Sequence, residues 1–448
     1  MTRAMPSEQP ATVKNEQVLS RQLSSVQQTT MALGGAIGTG LFLATGLSVG
    51  VAGPAIIVSY VLVAVLSLLL GRALTEMAVA HPTAGAFGVY ADLYLSPFAG
   101  YAVRVSYWLM EVIATGGQLV AAATYMRFWF PQVPGAAWVV AFAAMLLYAN
   151  SRTVGRLGAI EAWLVMIKLA AVAVFVGFAV LLVVGATGQP AIGLRNLTDG
   201  GFAPFGARGI GLGCCFVIYS FIGVEIVGVT SGEASDPGRT IPAAMRRLVF
   251  GLSAIYIATI ALLTAITPWR QLGVGESPFV SALGRLGVPA AAGVMNFVVL
   301  SAALSSANAN LYLISRTLFS LGRAGFVPRA LGEVSARSAP VNALLASGLG
   351  LGATVVVQTL WPDTAYQKLF GVALCGALFV WLMIFVTHLA FRRPARPIGS
   401  LIGAAALVAI LAATWWVPGL EATLPTAVPW LVVLWIGYRL SSRRAKSA

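Results

Sequence analysis

Between residues 27 and 438 this chain is a succession of long apolar runs joined by short polar connections. In hydrocarbon every backbone N–H and C=O must find a partner inside the protein, so a run of about 20 apolar residues reads as a membrane-spanning helix. Twelve runs can be marked, at about 27–50, 53–75, 97–127, 137–151, 158–186, 206–231, 248–268, 288–315, 341–360, 366–391, 398–417 and 424–438. Composition agrees, because 58% of the 448 residues are hydrophobic and 9% are charged, with a mean hydropathy of +0.87. Soluble domains carry roughly 25% charged residues, and a soluble fold of this length has no interior for so much apolar sequence. The chain is predicted to be an all-α polytopic membrane protein of twelve transmembrane helices.

The net charge of +14 raises the prospect of nucleic acid, but its distribution argues against that. Of the 28 Lys and Arg residues, 20 fall on the side of the membrane that holds the N terminus and 6 on the other, with Arg104 and Lys168 inside spans. By the positive-inside rule the rich side is cytoplasmic, which puts both termini in the cytosol. Residues 1–26 are polar and mixed in charge, and read as a cytosolic tail rather than a cleavable signal. Residues 439–448 read as a second, basic tail. The longest connections are 72–96, 187–205 and 316–340. The first, with "HPTAGAFGVYADLYLSP", is expected to form a short surface helix. Cys214, Cys215 and Cys375 lie in apolar runs and read as buried thiols. His81 and His388 are too far apart and too isolated to suggest a metal site.

Two runs carry interruptions. The first contains "LGGAIGTGLF", Leu33 to Phe42, with glycines at 34, 35, 38 and 40. The sixth contains "FIGVEIVG", Phe221 to Gly228. Each half of the first ten runs holds five spans, an odd number, so the halves, about 27–186 and 206–391, run in opposite directions. Broken helices at matching positions of inverted halves point to a transporter's binding site. At the first break, the N–H groups that open the second half-helix form an anion site suited to a carboxylate. Thr39 adds a hydroxyl, and Gly38 and Gly40 allow close approach. The competing reading is a small-residue packing face, to which Gly34 and Gly35 are assigned. No Lys-Ser or Lys-Thr follows, which disfavours a phosphate loop.

At the second break, carbonyls around Tyr219, Phe221 and Ile222 are candidates to receive an ammonium group, and Tyr219 and Phe221 to wall a side-chain pocket. Glu225 lies mid-span, where an ionisable residue is costly. It reads either as a gating or proton-handling group or as a structural carboxylate pinning the break. Lys168, in "EAWLVMIKLAAV", is likewise too deep for easy snorkelling to the interface. Glu161, near the end of the same run, reads as solvated or salt-bridging. In span three, Glu111 and Gln118 are seven residues apart, which turns them by only about 20° around a helix, so they share a face. Asn308 and Asn310 in span eight read as cross-links between helices as readily as ligand contacts. The tryptophans of "RFWFP", "TPWRQL" and "ATWWVPG" read as an interfacial belt.

Taken together, "LGGAIGTGLFLATG", "AGPA", "ALTEMAVAHPTAGAFGVYA", "YSFIGVE" and "GEASDPGRTIP" resemble the amino-acid permeases of the amino acid–polyamine–organocation superfamily, most closely its bacterial amino-acid transporter branch. The resemblance runs from about Arg21 to Arg393. It implies a LeuT-like fold with a 5+5 inverted repeat, broken helices 1 and 6, and two extra C-terminal helices at 392–438. It implies uptake of an amino acid, with the proton as coupling ion and no bound cofactor. Its carboxylate would meet amides near Thr39 and Gly40, and its amino group carbonyls near Ala36, Tyr219 and Ile222, with Ile37, Gly38, Ser220, Phe221 and Gln118 in the same substrate site. Lys168 would carry the coupling proton in place of a sodium ion, on a site that Ser305 and Ser306 complete. The family often has glutamate where this chain has Gln118, and Glu111 is an additional acid one heptad earlier. Glu111 is therefore grouped with Lys168 and Glu225 as a coupling or gating candidate, and a cationic substrate stays open beside a neutral or aromatic one. The expected protein is a proton-coupled amino-acid permease of a plasma membrane, partnered by its substrate and the bilayer. An exchanger without net proton flux is the alternative, and a channel or membrane-embedded enzyme a remote one.

Overall fold

The computed structural model describes residues 23–83, 85–152, 154–186, 190–273, 276–285, 289–334 and 340–447; at 152, 154–162, 285, 289 and 442–447 it describes the backbone alone. Most of the expected cytosolic N-terminal tail, the Glu161 side chain and the last residue of the basic tail therefore lie outside the described residues. Among the described residues every extended regular element is helical, and the one isolated β-bridge pairs Leu23 with Ala234.

The first apolar run forms three pieces, α1 (Ser25–Ala36), α2 (Thr39–Phe42) and α3 (Ala44–Ala52). Ser24 starts α1 through a capping box: its hydroxyl accepts the Gln27 N–H at 3.3 Å and the Gln27 side chain accepts the Ser24 N–H at 2.9 Å. This satisfies two of the backbone donors that a helix start leaves open. Gly53, at φ +63°, and Pro54 turn the corner into α4 (Ile56–Ala80). A side chain at Gly53 would face both that left-handed backbone and the Pro204 ring.

The loop helix α5 (Ala86–Tyr94) precedes α6 (Pro97–Met126), α7 (Gly135–Arg152) and α8 (Val154–Val184). The expectation of a helix in this loop is met, but not that of a surface helix. Residues 86–91 are buried, with Phe87 edge-on to Tyr107 of α6 at 4.8 Å. Its apolar residues pack against α4 and α6 instead of facing outward.

After the turn α9 (Arg195–Thr198) come α10 (Gly206–Ser220) and α11 (Ile226–Val229), the two pieces of the sixth run. The chain continues with α12 (Pro237–Ile266), α13 (Pro278–Arg285), α14 (Pro289–Arg323), α15 (Val341–Leu360), α16 (Ala365–Phe391), α17 (Ile398–Ala413) and α18 (Thr423–Ser447). Helix thus covers each apolar run. Seven segments are long and apolar enough to cross a membrane by length and composition: Ala44–Ala80, Trp163–Val184, Pro237–Ile266, Ala290–Arg323, Val341–Leu360, Ala365–Phe391 and Ile398–Trp416. Helix α6 is as long, at 30 residues, but spends inner positions on Arg104, Glu111 and Gln118.

The helices divide into an inner and an outer set. In α14 and α16, 67% of the apolar window is buried, whereas in α8 and α17 the shares are 28% and 22%. The outer set presents Trp163, Val174, Leu349 and Ile402 outward, as helices that face hydrocarbon do. Helix α6 lies in the middle, packed against α5, α7, α14 and α16, while α1 packs on α8, α12 and α14. One expected belt residue is misplaced by the sequence reading. Trp129, Trp415 and Trp416 are exposed, but Trp269 is buried, edge-on to Phe205 at 5.6 Å. The three cysteines are free and buried, as expected.

Candidate functional site: two broken helices around one cavity

Helix α1 stops at Ala36 and α2 begins at Thr39, so Ile37 and Gly38 form the first break. The carbonyls at the end of a helix lack internal partners and must find others when buried. Here three other helices supply them. Lys168 Nζ of α8 donates to Gly34 O at 2.8 Å and to Ile37 O at 3.1 Å. Ser306 Oγ of α14 donates to Gly35 O at 2.6 Å, and Tyr256 Oη of α12 to Ala36 O at 3.0 Å. Lys168 is fully buried, so its ammonium does not snorkel; it is held by the broken backbone. Ser305, next to Ser306, is buried as well. Tyr256 was not foreseen: a phenol in an apolar run carries no signal that separates it from core.

On the other side of the break, Gln118 Oε1 of α6 accepts the Thr39 N–H at 3.1 Å. Thr39 Oγ1 is buried with no partner, which leaves a donor of the type anticipated for a carboxylate. Tyr366 Oη donates to Thr39 O at 3.3 Å. Gly38 and Gly40 are small for a different first reason than ligand approach. A Cβ on Gly38 would lie 2.6 Å from Ser306 Oγ and 2.9 Å from Gln118 Nε2; one on Gly40 would lie 2.8 Å from Ser220 Cα. Gly35 meets the packing expectation, since its Cβ would lie 2.5 Å from Ile226 Cδ1.

The second break runs from Phe221 to Glu225, where α10 ends and α11 has not begun. Its N–H groups turn back in tight bonds, Phe221 to Ile218 O and Ile222 to Tyr219 O. Gly223 has φ +113° and abuts the first break: a Cβ there would lie 3.0 Å from Ala36 Cα. Both oxygens of Glu225 accept the Gly223 N–H, each at 3.1 Å, and Glu225 Oε2 also accepts Trp381 Nε1–H of α16 at 3.2 Å. Glu225 is fully buried, and its carboxylate ties the turn of the second break to α16.

Between the two breaks lies a small cavity, with room for about one water molecule as the helices stand. It is lined by Gly35, Ala36 and Gly40 of the first break, by Tyr219, Ile222, Gly223 and Ile226 around the second, by Glu111, Ala114 and Gln118 of α6, and by Asn310 of α14. Of the predicted contacts, Ala36, Gly40, Gln118, Tyr219 and Ile222 line it. Ile37, Gly38, Thr39, Ser220 and Phe221 are buried and do not line it. Phe221 is a correction: it does not wall the pocket but packs in the core, edge-on to Tyr256 at 5.2 Å and tilted against Tyr60 at 6.4 Å. The turn that frees its backbone also rotates its ring away from the cavity. Ser220 faces Tyr60, with 3.4 Å between the hydroxyls. Asn310 joins the cavity, while Asn308 bonds to Asn150 Nδ2 at 2.8 Å, so one asparagine of the pair is a lining group and the other a cross-link.

The Tyr219 ring in the lining packs 4.3 Å from Phe370, itself flanked by Phe216 and Tyr366. Towards the end of the bundle where α1 starts, Glu233 accepts from Arg316 Nε at 3.1 Å and from Tyr312 Oη at 2.7 Å. Glu233 O also accepts the Leu23 N–H at 2.8 Å, tying the segment before α1 to this latch. Farther along the same face, Glu76 joins Arg392 at 2.6 Å and His388 at 3.0 Å. His388 is thus paired to a carboxylate, and no group able to hold a metal occurs among the described residues.

Comparison with known proteins gives the family. The family model described as amino acid permease matches residues 27–448. The aromatic amino acid transport protein AroP of Escherichia coli strain K12 is 35% identical over 445 residues, covering 96% of this chain and 97% of AroP. AroP of Salmonella typhimurium strain LT2 is 33% identical over 443 residues, with the same coverage of 96% and 97%. The uncharacterized amino acid permease YtnA of Bacillus subtilis strain 168 is 34% identical over 387 residues, 86% of this chain and 84% of YtnA. Two helices broken face to face around a small cavity, in a chain matched from its first apolar run to its end, therefore belong to a membrane-embedded member of the amino acid permease family.

Proposed function

We propose that the chain imports an amino acid across the plasma membrane together with protons, by alternating access around the cavity at the two breaks. The observation that carries this reading is the cavity itself. It lies between Ala36–Gly40 and Tyr219–Gly223, where backbone of both breaks converges with the side chains of Gln118, Tyr219, Glu111 and Asn310; closed to about the size of a water molecule, it is an occluded site that opens as the helices part. The carboxylate is taken at the Thr39–Gly40 end, beside the Thr39 hydroxyl and Gln118, and the ammonium by carbonyls of Ala36, Tyr219 and Ile222. The apolar lining of Ala114, Ile222 and Ile226, with the Tyr219 ring, favours a neutral or aromatic side chain, and AroP is named for aromatic amino acids.

In this reading the transport core is residues 27–391, as inverted repeats at about 27–186 and 206–391, and the helices of 392–438 lie outside the repeat. Both termini are cytoplasmic. Lys168 is the proton carrier: losing its proton loosens its hold on Gly34 and Ile37 and so the first half-helix. Ser305 and Ser306 complete that centre, and Glu225 holds the second break in register. The Glu233–Arg316–Tyr312 latch is the inner gate.

Reconstitution into proteoliposomes tests the reading. Uptake driven by an inward proton gradient, competed by each of the twenty amino acids at two pH values, should show accumulation that grows as the outside is acidified. Accumulation that needs amino acid inside the vesicle and ignores the gradient would replace the symporter by an exchanger.

A further inference from the structure

The two buried carboxylates beside the cavity are treated very differently by the fold. Glu225 has both oxygens engaged by N–H donors. Glu111 is 1% exposed and lines the cavity beside the Tyr107 hydroxyl, yet its Oε2 has no partner in hydrogen-bond geometry, and neither has that hydroxyl. A buried polar atom without a partner is costly, so a fold retains one where something else supplies the partner. Nearby cations do not. Arg104, one heptad towards the start of α6, lines a separate cavity with Phe87, Thr317 and Ser320. The ammonium of Lys168 is engaged at the first break.

Resting on the transport reading above, we propose that Glu111 is the specificity-determining residue of the cavity, and that it selects amino acids whose side chain ends in an N–H or O–H donor. The register of α6 supplies the reach. Gln118, which fixes Thr39 at the carboxylate end, and Glu111 share one face and are about 10 Å apart along the axis, at 1.5 Å per residue. A substrate anchored by its carboxylate at Thr39–Gly40 points its side chain past Tyr219, Ala114 and Ile222 towards Glu111 and Asn310. The phenol of tyrosine, the indole N–H of tryptophan and the ammonium of lysine all end at about that depth. Phenylalanine has the same apolar body and brings no donor to Glu111.

A site built around a hydrogen bond rejects an analogue that lacks it far more strongly than an apolar pocket rejects a missing methylene. Uptake of tyrosine, phenylalanine and lysine is therefore measured in proteoliposomes of wild type, Glu111→Gln and Glu111→Met. Wild type should favour a donor-bearing substrate over phenylalanine by at least about ten-fold, as a site built to hydrogen-bond its substrate does. Glu111→Met should erase or invert that ratio. Glu111→Gln, which keeps an acceptor, should preserve a preference for tyrosine but lose one for lysine, which separates a neutral donor from a cation. The ratio is read within each variant, so differences in yield cancel, and if Glu111→Met does not fold, the wild-type and Gln ratios decide. Equal handling of tyrosine and phenylalanine by wild type, with no uptake of lysine, overturns the inference while transport stands. An unchanged ratio in Glu111→Met overturns it as well. If a sweep of all twenty amino acids gives no uptake, the transport reading fails first, and this one with it.

Discussion

The two breaks solve one physical problem in opposite ways. Both expose backbone that lipid cannot satisfy. At the first, the ends of α1 are held from outside, by an ammonium, an alcohol and a phenol on α8, α14 and α12. At the second, the chain holds itself: Glu225 reaches back two residues to the Gly223 N–H, and one outside donor, Trp381, completes it. A break held from other helices moves when those helices move, or when one of its clamps changes charge. A break held by its own side chain travels as a unit. In the proposed transport reading, coupling belongs to the first break and rigid support to the second.

The strongest way to break this comparison is to remove the charged clamp. Lys168→Met strips donors from Gly34 O and Ile37 O together, and a hydrogen bond to a charged group contributes about 1.5–3 kcal/mol. Gradient-driven accumulation should disappear, with at least about a hundred-fold loss if both bonds count in transport at about 1.4 kcal/mol per decade. Mutant vesicles that still accumulate substrate under an inward proton gradient would end the coupling assignment. Downhill exchange in the same vesicles is expected to survive in part, because the cavity lining does not include Lys168.

At the second break the matching substitution is Glu225→Ala. It leaves the Gly223 N–H and Trp381 Nε1 without their acceptor, a cost of about 1–3 kcal/mol for each buried group left unpaired. The expected outcome is a lower thermal unfolding midpoint in detergent, with Glu225→Gln intermediate because it keeps an acceptor. If Glu225 were a proton carrier rather than a brace, Glu225→Gln would abolish gradient-driven uptake without lowering the midpoint, and the two breaks would be alike after all. Gly223→Ala should follow with a smaller loss of stability, on the order of 1–2 kcal/mol, because φ +113° is a backbone conformation that L residues rarely adopt.

What could be seen in advance divides along the same line. The positions of both breaks were legible, since clustered glycines and a lone acid are costly inside an apolar run unless the helix is interrupted there. Lys168 was legible for the same reason: a charge at that depth must have a partner. The partners were not. Tyr256, Trp381 and Tyr366 lie in runs of core-like residues, and a phenol or indole that clamps a broken helix has the same local sequence as one that fills space. Phe221 misled because a break decouples neighbouring residues from helical register, so the face of its ring depends on the turn, not on spacing. Glycine was ambiguous in the same way: Gly40 lines the cavity, yet the nearest obstacle to a side chain there is the Ser220 backbone. Trp269 shows the limit of the interfacial rule, because a tryptophan near a span's end can be covered by a neighbouring loop.

The mildest test concerns the clamp that sequence reading missed. Tyr256→Phe deletes one neutral hydroxyl from the first break and nothing else of size. Ala36 O keeps a second donor, the Gly38 N–H at 3.0 Å, so it is not left bare. A neutral hydrogen bond exchanged against an already bonded acceptor contributes about 0.5–1.5 kcal/mol. Stability should therefore drop slightly, and less than in Glu225→Ala. If the first break is held by all its clamps in common, Tyr256→Phe will also shift the pH dependence of uptake, because Lys168 and Tyr256 hold carbonyls of the same helix end. If each clamp acts alone, stability falls and the pH profile stays where it was. The first outcome makes α8, α12 and α14 one mechanical unit around α1; the second leaves the ammonium of Lys168 as the sole control of the broken helix.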